Sequence, residues 1–312
     1  MSDARPTLGR RLLLAGAAGL TAGAGPAFMD LSQAALDDAY TQSVWAPDAP
    51  AIIAGYARDS AAARAALPPR TERYGPGAAE TLDLFIPAGA ASAPVVAFIH
   101  GGAWRALGKE DASAPAPAFV GAGCIYAALG FDNIPAATLP EMADQVRRAV
   151  LWLAGNAARF GGDPARLFVA GHSSGAHLCA VLLTTDWPAL GQPPDMLKGG
   201  VCLSGMYELH PVLLSVRSGY VRLSPADVDA LSPLRRMGRI ACPVLVGSGG
   251  RESPEFKRQA DTFAAVLAGM GRLHARALMP ELNHFQVPNQ LNDAGTPLSR
   301  AVLGMMLPGR GG

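Results

Sequence analysis

Leu167-Phe168-Val169-Ala170-Gly171-His172-Ser173-Ser174-Gly175-Ala176-His177-Leu178-Cys179-Ala180-Val181-Leu182-Leu183 passes from an apolar strand-like run, through a G-x-S-x-G turn, into a helix-forming stretch. That order decides the reading of the chain. The glycines flanking Ser173 remove Cβ atoms that would clash in a turn sharp enough to lift a hydroxyl above a sheet, and the following helix points its positive end at the site. Ser173 is therefore the candidate nucleophile. Taken alone, the pentapeptide also reads as an ordinary Gly/Ser turn between two buried elements, because short patterns match by chance.

Upstream, Val95-Val96-Ala97-Phe98-Ile99 reads as a buried strand ending in His100-Gly101-Gly102-Ala103-Trp104. Acyl transfer needs donors fixed around the oxygen of a tetrahedral intermediate, and bare backbone N–H groups supply them without reorganising. The N–H groups of Gly101, Gly102 and Ala103, with that of Ser174 just after the nucleophile, are the candidate oxyanion hole. His100 is expected to hold this loop by hydrogen bonding. A base and its orienting acid should follow in the order Ser, acid, His. Glu252 falls in the loop after the strand candidate Pro243–Gly247, and His284 in the loop after Leu273–Leu278. Glu255 is the rival acid, but Ser253-Pro254 looks like a helix start, which would put Glu255 in a solvated first turn. Of the other histidines, His172 and His177 read as pocket lining or structural, His210 opens a variable segment and His274 lies within a strand.

Apolar runs at Thr81–Ile86, Val95–Ile99, Cys124–Ala128, Leu167–Ala170, Gly200–Leu203, Val244–Val246 and His274–Leu278 alternate with helical patterns. Such alternation implies an α/β fold, with a mostly parallel central sheet covered by helices on both faces. From Leu139 to Arg159, Met142, Val146, Ala149, Val150, Leu153 and Ala157 recur at helical spacing, with Arg147, Arg148 and Arg159 turned outward. Pro254 to Met270 repeats the pattern with Phe256, Ala260, Phe263, Val266 and Leu267. Stretches Pro87–Pro94 and Ala112–Pro117 read as surface loops. Met206 to Ser232 reads as a partial cap walling a pocket, or as packing beneath a long loop. Trp104, His172, Met206 and Tyr207 are the candidate pocket residues.

With 312 residues, half of them hydrophobic, the chain can bury a large core. A net charge of +1 and the lack of a basic stripe give no argument for nucleic acid, and small neutral or weakly polar substrates are the natural inference. Cys124, Cys179, Cys202 and Cys242 lie in or beside apolar elements without metal-ligand spacing, so buried thiols are expected; the alternative is that a pair oxidises outside the cytoplasm. The amino terminus carries Gly9-Arg10-Arg11, a short apolar centre to Leu20 and small residues through Ala27. Residues 1–27 thus read as a twin-arginine signal peptide directing export to the periplasm, too short for a membrane span, with residues 28–312 as one domain. The other reading is a disordered or helical extension on a cytoplasmic protein.

From about Leu31 to Leu307 the chain resembles the α/β-hydrolase superfamily, in particular the hormone-sensitive-lipase-like esterases and, more closely, the serine-dependent kynurenine formamidases (arylformamidases). The pieces that carry the resemblance are His100–Trp104, Phe160-Gly161-Gly162-Asp163-Pro164, Gly171–Leu178, Ser253–Phe256 and Asn283-His284-Phe285. It implies an α/β-hydrolase fold with a small N-terminal or partial cap, a triad of Ser173, Glu252 and His284, and no metal or organic cofactor. Glu252 stands where that branch usually has aspartate. The stretch from Leu36-Asp37-Asp38-Ala39-Tyr40 to Ala66 resembles the segment that closes over the pocket in the formamidase branch. Hydrolysis of small short-acyl or aryl esters is the expected activity. N-formylkynurenine-like amides are the alternative substrate, and a catalytically silent binding protein is the non-enzymic alternative.

Overall fold

Side chains along a strand point alternately to opposite faces, so an unbroken apolar run can feed two cores at once. Val95, Ala97 and Ile99 pack with Leu82, Leu84, Leu167 and Val169 on one face, while Val96 and Phe98 pack with Phe85, Tyr126, Phe168 and Ala170 on the other. This doubly buried sheet is what the apolar segments encode. A computed structural model describes residues 28–309, and the expected signal peptide, residues 1–27, lies outside them.

Within the described residues the strands are β1 (Arg70–Arg73), β2 (Thr81–Phe85), β3 (Ala93–Ile99), β4 (Ile125–Leu129), β5 (Gly162–His172), β6 (Leu197–Leu203), β7 (Val244–Gly249) and β8 (Leu273–Met279). They form one sheet in the order β1-β2-β4-β3-β5-β6-β7-β8. β1 and β2 are antiparallel to their neighbours, and every pairing from β4 to β8 is parallel. The helices are α1 (Gln33–Ala39), α2 (Ala49–Ala66), α3 (Ala116–Gly121), α4 (Leu139–Asn156), α5 (Ser174–Leu183), α6 (His210–Leu214), α7 (Pro225–Leu231), α8 (Pro254–Gly269) and α9 (Pro297–Met306). The apolar stripes of α4 and α8, with the wholly buried α5, cover the first face. Phe119 of α3 and Leu298, Val302 and Met306 of α9 cover the second.

Local chemistry sets the helix ends. The Thr138 hydroxyl accepts from the Glu141 N–H while the Glu141 carboxylate accepts from the Thr138 N–H, a reciprocal cap that starts α4. Ser253 starts α8 by accepting from the Phe256 N–H.

Several expectations change. β1 was not anticipated, because Arg-Thr-Glu-Arg at a sheet edge has no apolar alternation; Thr71 fastens it through a 2.6 Å hydrogen bond to Asp83. β5 begins at Gly162, before its apolar part. Val266 faces solvent, 38% exposed, rather than the core. Ala112–Pro117 is no surface loop, since Ala112, Ser113, Pro115 and Ala116 are buried and Ala116 opens α3. Glu255 is buried rather than solvated, and Arg258 neutralises it. The four cysteines are buried and form no disulfide among the described residues; the Cys179 and Cys202 sulfurs stand 3.7 Å apart, beyond the S–S bond length.

Candidate active site

In a parallel sheet the turns leaving the strands gather at one end, where open α/β sheets bind ligands. Ser173 leaves the central strand β5 there with φ 57° and ψ −121°, a conformation that costs about 1–3 kcal/mol for a residue with a Cβ. Its N–H donates to the Leu203 carbonyl of β6 at 2.8 Å and its carbonyl accepts from His177 at 3.1 Å, which hold the turn in place. The flanking glycines are required by space. A Cβ at position 171 would sit 2.3 Å from the Gly175 carbonyl oxygen, and one at 175 would sit 2.1 Å from that of Ile99.

His284, on the loop after β8, places Nε2 2.9 Å from Ser173 Oγ. Its Nδ1 lies 3.4 Å from Oε2 of Glu252, a long contact of the kind that tightens when a catalytic histidine takes up charge. The other carboxylate oxygen, Oε1, accepts from the Ser204 hydroxyl and from the Gly249 N–H, both at 2.6 Å. Ser204 directly follows β6 and Gly249 ends β7, so the ends of two neighbouring strands fix the glutamate. All three side chains are buried. Glu255, the rival acid, turns to Tyr40, Arg258 and Gln259 instead.

His172 bonds through Nε2 to the carbonyl of His284 at 2.9 Å. A carbonyl can only accept, so Nε2 carries the hydrogen. Burial, and then the neighbouring His284, hold His172 well below the usual imidazole range, so it stays neutral. His177 donates Nε2–H to the Leu231 carbonyl, and burial lowers it to about 4. His100 lies flat on Phe131 with centroids 4.2 Å apart and closes its own turn through Nδ1 to the Gly101 carbonyl.

The turn after β3 carries Ala103 and Trp104 at φ 55° and 61°. Among the described residues, the N–H groups of Gly102 and Ala103 donate to no backbone acceptor. Both residues line the same cavity as Ser173, while Gly101 lies one step back against it. Ser174 is the first residue of α5, whose N–H has no partner within the helix.

The cavity measures about 420 Å³, within the range of small-molecule sites. Ser173, His284, His172, Tyr40, Tyr56 and Tyr220 line it, as do Arg105, Arg217 and Phe285. Of the four candidate pocket residues only His172 reaches this wall. Trp104 packs edge-on against His177, Tyr207 stacks on Phe263 at 4.1 Å and Met206 lies beneath Arg217. Met206 and Tyr207 follow β6 too closely to leave the core, and the side-chain Oε1 of Gln259 accepts from the Tyr207 N–H at 2.6 Å. The cap reaches the cavity further along, at Val216, Arg217 and Tyr220.

Comparison with known proteins agrees with this architecture. The BD-FAE family model matches residues 82–189. Kynurenine formamidase of Salmo salar is 31% identical over 240 residues, covering 75% of this chain and 80% of the relative. The chain belongs to the α/β-hydrolase family of kynurenine formamidases and related esterases. Esterase LipQ of Mycobacterium tuberculosis is 30% identical over 68% of the chain and 55% of the relative. A crystal structure of a putative thioesterase from Silicibacter superposes with a TM-score of 0.73 at 27% identity, covering 86% of this hydrolase and 98% of that chain. An esterase of Pyrobaculum calidifontis shares the fold, with a TM-score of 0.62 at 19% identity over 85% and 95% of the two chains.

In this hydrolase Ser173, Glu252 and His284 stand in hydrogen-bonding sequence. Sequence reading missed Ser204 as the second anchor of Glu252, and the signal available for it was its place directly after a strand. It also missed Tyr40, Tyr56, Arg105 and Arg217 as individual wall residues, whereas Tyr220 belongs to the segment read as a partial cap. Tyr40 and Tyr56 come from the N-terminal segment expected to close the pocket, and the Tyr56 hydroxyl bonds to the Phe285 carbonyl beside His284.

Proposed function

We propose that this hydrolase cleaves small aryl or short-acyl esters by two-step acyl transfer, with Ser173 as nucleophile, His284 as general base and Glu252 as its orienting acid. The observation that carries the reading is the 2.9 Å approach of His284 Nε2 to a strained, cavity-facing Ser173 Oγ. Glu252 keeps the hydrogen of His284 on Nδ1, leaving the Nε2 lone pair to take the serine proton as Oγ attacks the carbonyl carbon. The carbonyl oxygen becomes an oxyanion facing the N–H groups of Gly102, Ser174 and Ala103, with Gly101 supporting the turn; a well-placed donor of this kind is worth about 3–4 kcal/mol in the transition state. His284 returns its proton to the leaving oxygen or nitrogen, and the acyl group stays on Ser173. Water then attacks the acyl-enzyme, giving a proton to His284, and Oγ leaves with that proton.

The second reading is an arylformamidase, in which the acyl group is formyl and the leaving group an aryl amine. The kynurenine formamidase relatives support it. Both readings require Ser173 to be labelled by a fluorophosphonate probe and turnover to be lost in Ser173→Ala. A label on another residue, or undiminished turnover, rejects both. Comparing kcat/KM for phenyl acetate and N-formylkynurenine then separates them.

A further inference from the structure

The cavity beside Ser173 departs from the near-neutral balance of the chain. Two arginines line it, Arg105 and Arg217, and among the described residues its lining holds no aspartate or glutamate. Arg105 is exposed and lies over the Tyr220 ring with its guanidinium carbon 4.5 Å from the centroid. Arg217 is only 5% exposed.

A buried cation is ordinarily paired with a carboxylate, because losing water without a counter-charge is costly. Arg217 has no such partner among the described residues. Its guanidinium carbon lies 5.6–5.7 Å from the ring centroids of Tyr40, Trp104 and Phe256, and these faces offset part of the lost hydration. Nε donates to the Tyr40 carbonyl at 3.0 Å and Nη1 points at the Met206 sulfur at 3.3 Å, a weak acceptor. No acceptor among the described residues takes the hydrogens on Nη2. Glu255, reached through the Tyr40 hydroxyl, is already paired with Arg258. The side chain is thus held rigidly by one edge, with the other edge uncommitted in a cavity that also holds the nucleophile. A planar guanidinium fixed in this way suits a carboxylate.

We infer that the substrate of this hydrolase carries a carboxylate on its aryl part, received by Arg217 and, nearer solvent, by Arg105. Tyr40, Tyr56, Tyr220 and Phe285 supply the aromatic wall for the ring. With no carboxylate among the described lining residues, no counter-charge meets an ammonium on the same substrate, and the two guanidiniums repel it. The inference rests on the acyl-transfer reading above and replaces the neutral substrate suggested by net charge. A guanidinium serving only as a strut between the cap and the N-terminal segment is the competing role.

The test compares phenyl acetate, 4-acetoxybenzoate and 4-(aminomethyl)phenyl acetate, each kcat/KM divided by that ester's own alkaline hydrolysis rate. The full chain and its Arg217→Gln, Arg217→Lys and Arg105→Gln variants are measured. The full chain is expected to prefer the carboxylate ester over the neutral one by at least about tenfold and to disfavour the ammonium ester. Arg217→Gln brings the carboxylate-to-neutral ratio to about one, Arg217→Lys restores part of it and Arg105→Gln lowers it. A strut would move all rates together and leave the ratio intact. Benzoate binding provides a readout without turnover, as a thermal shift that benzylamine does not give and Arg217→Gln abolishes. No preference in the full chain, or a ratio and a benzoate shift unaffected by both Gln variants, overturns the inference. Absent turnover of every ester, with Ser173 unlabelled, sinks the acyl-transfer reading, and the benzoate measurement still decides this one. Should Arg217→Gln not fold, Arg105→Gln and Arg217→Lys carry the decision.

Discussion

Replacing Glu252 by glutamine tests the chemistry at one atom. Both donors to this carboxylate, the Ser204 hydroxyl and the Gly249 N–H, converge on Oε1 at 2.6 Å. In Glu252→Gln the amide oxygen must occupy that place, because an NH2 group there would face two donors. The amide nitrogen is therefore forced toward Nδ1 of His284, where the carboxylate oxygen stood at 3.4 Å. An amide N–H can only donate, so Nδ1 becomes the acceptor and the imidazole hydrogen moves to Nε2. Nε2–H then points at Ser173 Oγ across 2.9 Å and has no lone pair for the serine proton. Tautomer reversal of this kind costs about 10³–10⁴-fold in kcat, or roughly 4–5.5 kcal/mol of barrier. KM should change little and the melting temperature should stay within a few degrees, because size and hydrogen-bond count are retained. Steady-state kinetics on an aryl ester, with circular dichroism as the folding control, measure this. A kcat within tenfold of the parent refutes the reasoning, most pointedly if Glu255→Gln gives the larger loss.

Three further outcomes follow from the geometry. Gly175→Ala puts a Cβ 2.1 Å from the Ile99 carbonyl, and a rigid backbone clash of this sort should cost at least about 3 kcal/mol and lower the melting temperature by about 6 °C or more in calorimetry. Unchanged melting would show that the turn is looser than described. His177 binds its proton near 6.5 when unfolded and near about 4 when folded, so the unfolded state holds the extra proton between those values. The stability this contributes is complete above pH 6.5 and falls as pH drops toward 4, by up to about 3 kcal/mol; urea titrations of the parent and His177→Gln at pH 7 and 5 should show a smaller loss in the variant. Tyr56→Phe removes the hydroxyl that bonds to the Phe285 carbonyl and should lower kcat by about three- to tenfold through a looser His284 loop; equal rates would make that contact incidental.

What the sequence revealed follows from which interactions are local. Ser173, His284 and Glu252 were legible because each lies on a turn after an apolar run, and turn chemistry is written in adjacent residues. The helix spanning Leu139–Asn156 was legible because capping and apolar spacing are local too. Val266 shares the spacing of the buried face of α8 but lies at its margin, where the breadth of the contact surface decides and periodicity is silent. Glu255 looked solvated because its partner Tyr40 is 215 residues away. Trp104, Met206 and Tyr207 were plausible wall residues for the same reason. Proximity in sequence to a catalytic turn does not say on which side of the backbone a large side chain packs.

The cavity wall is shared by two stretches outside the strand ends: Tyr40 to Tyr56 near the start of the described chain, and Val216 to Tyr220 after β6. Arg217 stitches them together through the Tyr40 carbonyl, and Gln33 does so again through the Leu214 carbonyl. Ser173, Glu252 and His284, by contrast, follow the ends of β5, β7 and β8. A substitution in either stretch therefore reshapes the surface a substrate meets without replacing a residue of the three turns that carry Ser173, Glu252 and His284.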